Sequence, residues 1–541
     1  MRHTQKRIGL AVIAAMLAAC GQVSAPSISA NERTVSAAPM PTESYAEVVY
    51  EAKMVAQPQV MLTRPVMLNM QPENTEKYGQ IDPNPVHAVA QSPISTFSVD
   101  VDTGSYANVR RFLNKDNRLP PTNAVRIEEL INYFDYDDAQ PRDNKPFAVH
   151  TEVADSPWKT DAKLIRIGIK AQDIATKQLP PANLVFLVDV SGSMNSEDKL
   201  PLVKQTLHLL TERLRPQDKV TLITYASGEK LLLSATSDKE KIIAAVDSLQ
   251  ANGATHGEQA IQMAYREAQK HFIKNGINRI LLATDGDFNV GITDFNALKD
   301  LAAEKRKSGV SLTTLGYGTG NYNEHLMEQL ADTGDGNYSY IDNIKEAQKV
   351  LQRQLSSTLA TVAQDVKIQV EFNPATVQEY RLVGYENRML KQEDFNNDKV
   401  DAGDIGAGHS VTAIYEIVPT GKQGWLDKSR YQDAPKVSGS LKEYGFVKLR
   451  YKKPNTPNSL LIEQPIAVGS KPLARASNNM QWAVAVASYG QQLQGGKYNG
   501  NMTWADMLKL AQNNAKPDPY GLREEFISLL QKAQSLSSQA K

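Results

Sequence analysis

The sequence has little cysteine and no excess of charge. Cys20 is the single cysteine among 541 residues, which excludes disulfide bonds within the chain and metal sites built from cysteines. Lysine plus arginine and aspartate plus glutamate number 60 each, so net charge gives no reason to expect nucleic acid or an anionic surface as a partner. A chain of this length is too long for one core, and we expect about two to four domains.

Long apolar runs are also scarce. Residues 8–19 form an apolar run near the start of the chain, after the positively charged Arg2, Lys6 and Arg7. This order is typical of a signal peptide, and the run is short for a membrane span. An uncleaved membrane anchor is the alternative. No other stretch of the sequence is apolar enough to cross a bilayer, so we expect a tethered protein rather than an embedded one.

The residues before the cysteine, Leu17-Ala-Ala-Cys20, resemble the lipobox of bacterial lipoproteins. The resemblance implies cleavage before Cys20 and a diacylglycerol anchor on its sulfur. Gly21, rather than aspartate, follows the cysteine, which in Gram-negative lipoproteins favours transfer to the outer membrane. We therefore expect a signal peptide over residues 1–20 and a lipid-anchored protein of the bacterial cell envelope, at the outer membrane. Residues 21–85 are rich in Ser, Ala, Pro and Gln, which predicts a flexible tether.

The most informative stretch begins with five apolar residues, 184–188. Such a run is typical of a strand buried on both faces of a parallel sheet. Asp189, Ser191 and Ser193 follow at positions i, i+2 and i+4, at the strand end where an open α/β sheet places its ligand site. One carboxylate and two hydroxyls suit a hard cation such as Mg²⁺. Asp and Ser also form ordinary turns, so this pattern alone is weak.

Two downstream segments strengthen the prediction of a cation site at this strand end. The small-residue loop 252–255 ends in Thr255, and a second apolar strand, 280–285, ends in Asp285. Together the three segments resemble the metal-ion-dependent adhesion site of a von Willebrand factor A (VWA) domain, over residues 180–358. The resemblance implies that Asp189, Ser191 and Ser193 ligate Mg²⁺, with Mn²⁺ or Ca²⁺ possible. It implies that Thr255 and Asp285 complete the sphere directly or through water, and that an acidic residue of a partner commonly fills the last position. The alternative is that all five serve only as turns and helix caps.

Alternating strand and helix patterns predict that this region, residues 181–360, is a doubly wound, Rossmann-like α/β domain. About six strands and six helices are expected, the last helix near residues 345–359. No Gly-x-Gly-x-x-Gly or Walker loop follows the first strand, which disfavours nucleotide binding. Asp287 and His256 are expected to be rim residues, although Asp287 would also be able to tune the metal.

The flanks predict a second architecture. Strand patterns precede the α/β domain at residues 147–153 and 164–169 and return after it within residues 361–472, so we expect a β-sandwich into which the VWA domain is inserted. Two unrelated β segments are the alternative. Helices are expected within the N-terminal region 86–180 and the C-terminal segment 473–541. The runs 102–111, 385–388, 393–398 and 400–409 resemble the flanking regions of bacterial VWA-domain lipoproteins.

Two further motifs carry less weight. Asp-Thr-Gly occurs at 102–104 and 332–334, but aspartic-protease chemistry needs two carboxylates that share a proton. Asp102 or Thr103 is expected to cap a helix instead. Asp394, Asn396 and Asp398 have calcium-loop spacing without the glycine and the final acid of an EF-hand. They fit a looser calcium loop or a polar hairpin loop.

These observations predict a membrane-tethered binding module that engages a protein partner through a cation and a partner carboxylate. No enzyme is expected, because the eight histidines show no His-Glu-x-x-His spacing and Ser191 and Ser193 lie in no Gly-x-Ser-x-Gly elbow. A metal-independent envelope scaffold is the main alternative, and a metal-dependent hydrolase a remote one. Neither nucleic acid nor a nucleotide is expected as a ligand. The sequence leaves open the partner, the metal and any switch between affinity states.

Overall fold

The structure is a computed structural model. It describes residues 75–99, 102–143, 145–174, 179–255, 257–286, 295–353, 361–398, 400, 402–427, 440–454 and 456–539. The strands are β1 His87–Ala88, β2 Ile94–Ser98, β3 Phe147–Asp155, β4 Lys163–Ala171, β5 Ala182–Asp189, β6 Lys219–Tyr225, β7 Glu229–Thr236, β8 Ile277–Thr284, β9 Ser311–Tyr317, β10 Tyr338–Ile341, β11 Thr361–Phe372, β12 Val377–Val383, β13 Ile405–Gly406, β14 Ser410–Pro419, β15 Glu443–Lys452 and β16 Ser459–Ala467. The helices are α1 Gly104–Asn114, α2 Ile127–Asn132, α3 Leu200–Arg213, α4 Lys239–Asp247, α5 Gly257–Lys270, α6 Phe295–Lys305, α7 Glu324–Thr333, α8 Ile344–Arg353, α9 Asn478–Leu493, α10 Trp504–Asn514 and α11 Leu522–Gln539.

The central region, residues 182–353, is a six-stranded sheet with helices on both faces. Its strand order is β10-β9-β8-β5-β6-β7, and all pairs are parallel except β6 with β7. The antiparallel edge arises because the short turn 226–228 joins these two strands directly. The predicted α/β fold is confirmed, although the sequence patterns did not distinguish this edge from a parallel one.

Strand β5 lies inside this sheet and is buried along its whole length. Its side chains alternate between two apolar clusters, as a strand covered on both faces requires. Leu184 and Phe186 join a cluster that includes residues of α3 and α8, while Val185 and Leu187 join one that includes residues of α5 and α7. Burial on both sides explains the uninterrupted apolar run in the sequence.

Two further sheets form a sandwich from both flanks of the chain. One has the order β1-β12-β14-β4-β3; the other has the order β13-β11-β15-β16, with β2 also paired to β11. Strand β4 pairs with β14 over eight residue pairs although the central region separates them in sequence. A single apolar cluster joins the two sheets, including Phe97, Ile165, Val370 and Tyr415. The central region is therefore inserted between β4 and β11, and the alternative of unrelated β segments is wrong.

The helices outside the central region share a third core. Aromatic side chains of α9 and α11 pack against the end of α2, with Phe134 lying 5.1 Å from Trp482 and 5.6 Å from Phe526 between ring centroids. Tyr106 of α1 joins the same cluster. The predicted N-terminal and C-terminal helices thus pack on one another. Among the described residues, no helix combines the length and apolar character that crossing a membrane requires.

The N-terminal boundary differs from the prediction. Residues 21–85 were predicted to be a tether, but residues 75–78 lie along the central region. The amides of Thr75 and Lys77 donate to the carbonyls of Gly320 and Tyr322 at 2.8 and 2.9 Å. Glu76 pairs with Arg111 at 2.9 Å. These residues belong to the folded part because their backbone amides find partners there.

Candidate metal centre

Asp189 is the last residue of β5, and two hydrogen bonds fix its carboxylate. Oδ1 accepts from the amide of Ser191 at 2.9 Å, and Oδ2 accepts from the hydroxyl of Thr284 at 2.8 Å. The side chain is fully buried. Because both carboxylate oxygens are held, this group has a defined orientation at the carboxyl end of the sheet.

The two predicted serines lie in the turn that follows. Ser191 and Ser193 bring their Oγ atoms to 3.1 Å from each other. Ser191 is buried, whereas Ser193 is exposed. The turn therefore presents adjacent hydroxyl oxygens beside Asp189, one inside the protein and one facing outward.

The loop before α5 packs on the same turn. The amide of Asn252 donates to the carbonyl of Val190 at 2.7 Å, and the amide of Gly192 donates to the carbonyl of Gly253 at 2.9 Å. Thr255 follows this loop and is 5% exposed. These backbone bonds bring the second predicted segment to the rim where β5 ends.

Asp285 follows β8, which lies beside β5 in parallel register with Val188 opposite Ala283. The carboxylate is fully buried. Its Oδ2 accepts from Lys199 Nζ at 2.9 Å and from Asn321 Nδ2 at 3.0 Å. The structure thus brings the five predicted residues to one rim of the sheet, from three separate segments.

Sequence reasoning missed Lys199 and Asn321. Lys199 immediately precedes α3, and its ammonium also donates to Asn321 Oδ1 at 2.8 Å. Asn321 lies in the loop between β9 and α7, and neither residue belongs to a spacing pattern shared with the acids. The sequence shows only a lysine where a helix is predicted to begin, and this does not identify Asp285 as its partner.

The charge of Asp285 acts on the carboxyl group of Asp189. Burial, and then repulsion from Asp285, raise the pKa of Asp189 to about 6, although the hydrogen bonds from Ser191 and Thr284 oppose the rise. A buried pair of carboxylates is costly unless positive charge compensates it. The donor set contains oxygen only, as Mg²⁺, Mn²⁺ and Ca²⁺ prefer. These residues fit a hard divalent cation.

A cluster of three or more His, Cys, Asp or Glu side chains suited to a metal does not occur within the described part of the chain. The predicted centre has two carboxylates and three hydroxyls, so it would not form such a cluster. Asp287 and His256 lie outside the described residues, as does Cys20. The predictions for these three stay predictions.

The two Asp-Thr-Gly motifs meet through an arginine. Arg388 Nη2 lies 3.1 Å from Asp102 Oδ2, and Arg388 Nη1 lies 2.6 Å from Asp332 Oδ2. A protease dyad needs a proton shared by two carboxylates, whereas here each carboxylate binds the guanidinium. Of the two residues predicted to cap α1, Thr103 occupies the cap position, without a side-chain hydrogen bond to the helix, whereas Asp102 accepts from the amide of Tyr338 at 2.9 Å.

The acids with calcium-loop spacing face cations of the protein. Asp398 Oδ1 accepts from Arg450 at 3.0 Å and from the hydroxyl of Ser459 at 2.5 Å. Lys367 Nζ donates to the carbonyl of Asp394 at 3.0 Å. Because Arg450 binds the Asp398 carboxylate and Lys367 binds the backbone carbonyl of Asp394, the polar-loop interpretation is favoured.

Similarity to known proteins agrees with this arrangement. The von Willebrand factor type A domain matches residues 183–354, and the family described as "Uncharacterized protein YfbK, C-terminal" matches residues 357–536. A further family described as "von Willebrand factor" matches residues 72–166. The protein described as "Uncharacterized protein YfbK" of Escherichia coli (strain K12) is 48% identical over 475 residues, which are 86% of this chain and 82% of that protein. The chain belongs to the YfbK family of bacterial VWA-domain proteins.

More distant relatives of this YfbK-family chain share less of its sequence. "Uncharacterized protein sll0103" of Synechocystis is 28% identical over 210 residues, 38% of this chain and 49% of that protein. A solved von Willebrand factor type A structure from Catenulispora acidiphila has a TM-score of 0.40 at 16% identity and covers 74% of this chain and 91% of its own. VWA domains are generally interaction modules rather than enzymes, and many bind a divalent metal.

Proposed function

We propose that this protein is a membrane-tethered binding module that engages a protein partner through a divalent cation. Asp189, Ser191 and Ser193 would hold the cation, with Thr255 and Asp285 completing the sphere directly or through water. Mg²⁺ is the expected ion, and Mn²⁺ or Ca²⁺ would suit the same oxygens.

One observation carries the proposal. Two fully buried carboxylates, Asp189 and Asp285, lie at the carboxyl ends of two neighbouring strands, on the same rim of the sheet. Burial and the charge of Asp285 raise the pKa of Asp189 to about 6. Negative charge concentrated in this way favours binding of a cation. The exposed hydroxyl of Ser193 marks the side from which solvent, and hence a partner, reaches the centre.

The bound cation would supply a coordination position that an incoming carboxylate oxygen takes from water. Asp189 and Asp285 are fixed by hydrogen bonds to neighbouring residues. Little reorganisation is therefore needed at the centre when a partner docks, which favours affinity.

The proposed place of action is the cell envelope. A lipid on Cys20 would hold the protein at the membrane, with the outer membrane as the expected site, and the segment after it would give the folded part reach. This part of the proposal rests on the signal-peptide pattern and the lipobox resemblance.

Titration calorimetry of the full-length protein tests the metal centre. Mg²⁺, Mn²⁺ and Ca²⁺ would be titrated separately, with Asp189→Ala as the loss-of-site variant. Asp247→Ala is the matched control, because the Asp247 side chain is 61% exposed and pairs only with His208 in the described contacts. We expect saturable binding in the wild type and in the control, and none in Asp189→Ala, with a cooperative thermal unfolding transition showing that the variant is folded. Equal binding by all three proteins would refute the proposed site.

A second candidate, a metal-independent envelope scaffold, is favoured by one observation. The ammonium of Lys199 already contacts Asp285 at 2.9 Å and is 6% exposed as a residue. An internal cation of this kind stabilises the rim without a metal. A partner captured equally well with and without a chelator would support the scaffold and contradict the adhesion site.

A further inference from the structure

Lys199 is a cation built into the rim of the proposed metal centre. Its Nζ donates to Asp285 Oδ2 at 2.9 Å and to Asn321 Oδ1 at 2.8 Å, and Asn321 donates back to Asp285 at 3.0 Å. The three groups form a closed set of hydrogen bonds. Because the Lys199 ammonium makes two hydrogen bonds and the residue is 6% exposed, its side chain has a defined position.

The backbone provides a slot for this side chain. Gly318 has a φ of +79°, and a Cβ atom there would lie 2.3 to 2.8 Å from carbons of the Lys199 side chain. Only glycine leaves room for the lysine stem at this point. The aliphatic part of Lys199 therefore packs against the loop between β9 and α7, and its charged end reaches the carboxylate beneath.

The net charge of the proposed centre is the sum of the charges of its groups. Asp189 and Asp285 supply two negative charges and Lys199 supplies one positive charge. A divalent cation added to these three groups leaves one net positive charge. Without the lysine, the same loaded centre would be neutral.

We propose that Lys199 is the specificity-determining residue of this centre, because it keeps the loaded centre positive and so selects a partner carboxylate over a neutral oxygen ligand. The inference rests on the proposed function. An anion that enters a partly buried centre gains from a net positive charge, whereas a neutral amide or hydroxyl gains far less. The same charge repels the incoming metal, so Lys199 lowers metal affinity while it raises carboxylate affinity.

These opposite effects separate a specificity role from a structural one. Lys199→Met keeps the stem that packs against Gly318 and removes the charge. If Lys199 only stabilised the fold, its loss would weaken both kinds of binding or neither. Lys115→Met is the matched control, since Lys115 is an exposed lysine at the end of α1 that pairs with Asp198, the neighbour of Lys199 in sequence, at 2.6 Å.

The experiment titrates full-length wild type and both variants with Mn²⁺, followed by electron paramagnetic resonance. Each titration is repeated with acetate and with acetamide, which is the neutral match. In the wild type, acetate should tighten Mn²⁺ binding and acetamide should not. Lys199→Met should bind Mn²⁺ about tenfold or more tightly and lose the acetate effect, while Lys115→Met should behave as the wild type. Lys199→Gln carries the same expectation if Lys199→Met does not fold.

Failure of the specificity role of Lys199 and failure of the proposed metal centre give different results. If the wild type binds Mn²⁺ and the folded Lys199 variants bind it no more tightly, or keep the acetate effect, the specificity role is overturned and the metal centre stands. If neither the wild type nor the variants bind Mn²⁺, the proposed function fails and this inference fails with it. Binding by the Lys199 variants alone would refute a metal centre in the native protein and support Lys199 as its resident cation.

Discussion

Replacing Glu346 by glutamine should destabilise the protein by an amount that depends on pH. Glu346 lies on α8, the last helix of the VWA domain, and its side chain is 1% exposed. Its carboxylate lies 2.7 Å from Arg110 of α1 and 3.2 Å from Lys349, and it accepts from the Tyr133 hydroxyl at 2.5 Å. Glutamine keeps the shape of this side chain and removes the charge that faces two cations.

The magnitude follows from the carboxyl group. Burial alone would raise the pKa of Glu346, but Lys349 and Arg110 outweigh it and lower the pKa from 4.5 to about 2. A difference of this size corresponds to about 3 kcal/mol of unfolding free energy. Because the folded-state pKa is the lower one, the stabilisation is complete above pH 4.5 and is lost as pH falls toward 2.

Urea unfolding measured at about pH 7 and again near pH 3 tests this reasoning. Glu346→Gln should lower the unfolding free energy by about 3 kcal/mol at the higher pH and by less than about half of that at the lower pH. Glu304→Gln is the control, because the Glu304 side chain is 70% exposed and pairs only with Lys305 in the described contacts. Its effect should stay below about 0.5 kcal/mol. A Glu346→Gln effect that is the same at both pH values, or no larger than the control, would refute the assignment of this stability to the buried ion pairs.

Three other predictions concern the rim and the anchor. Metal affinity should fall about tenfold per pH unit below pH 6 and stay level above it, because protonation of Asp189, with its pKa of about 6, competes with the cation; Mn²⁺ titrations across this range measure it. Gly318→Ala should lower the midpoint of thermal unfolding more than Gly320→Ala, since both positions have a positive φ but only the first methyl group would meet Lys199. Cys20→Ser should abolish metabolic labelling with palmitate and leave metal affinity of the purified protein unchanged; labelling that persists would contradict the lipobox interpretation.

Sequence patterns predicted best the elements whose buried side chains follow a regular spacing along the chain. Residues 184–188 are apolar without interruption, and the corresponding strand β5 is covered on both faces. The insertion of the VWA domain was also predictable, since strands without intervening helices end near residue 169, strands alternate with helices in the next segment, and strands alone resume near 365. These features depend on the periodicity of neighbouring residues, which a sequence displays directly.

Partners distant in the chain were not predictable in the same way. Arg126 contacts Glu324 at 3.2 Å and Glu328 at 2.7 Å across about 200 residues of sequence, and all three side chains are nearly inaccessible. Charged residues are usually exposed, so a sequence gives no reason to bury them or to match one with another. Lys199 and Asp285 are a second case, 86 residues apart. Such pairs depend on how whole elements pack, which no local pattern encodes.

Buried charges link the candidate metal centre to residues outside the VWA domain. The loop that carries Asn321 also contains Gly320, whose amide donates to Glu76 Oε1 at 2.9 Å. Glu76 precedes the sandwich in the chain and pairs in turn with Arg111 of α1 at 2.9 Å. Residues outside the VWA domain thus hold the loop whose asparagine bonds Asp285. The contacts that support the candidate centre therefore extend beyond residues 182–353 to Glu76 and Arg111 of the flanking regions.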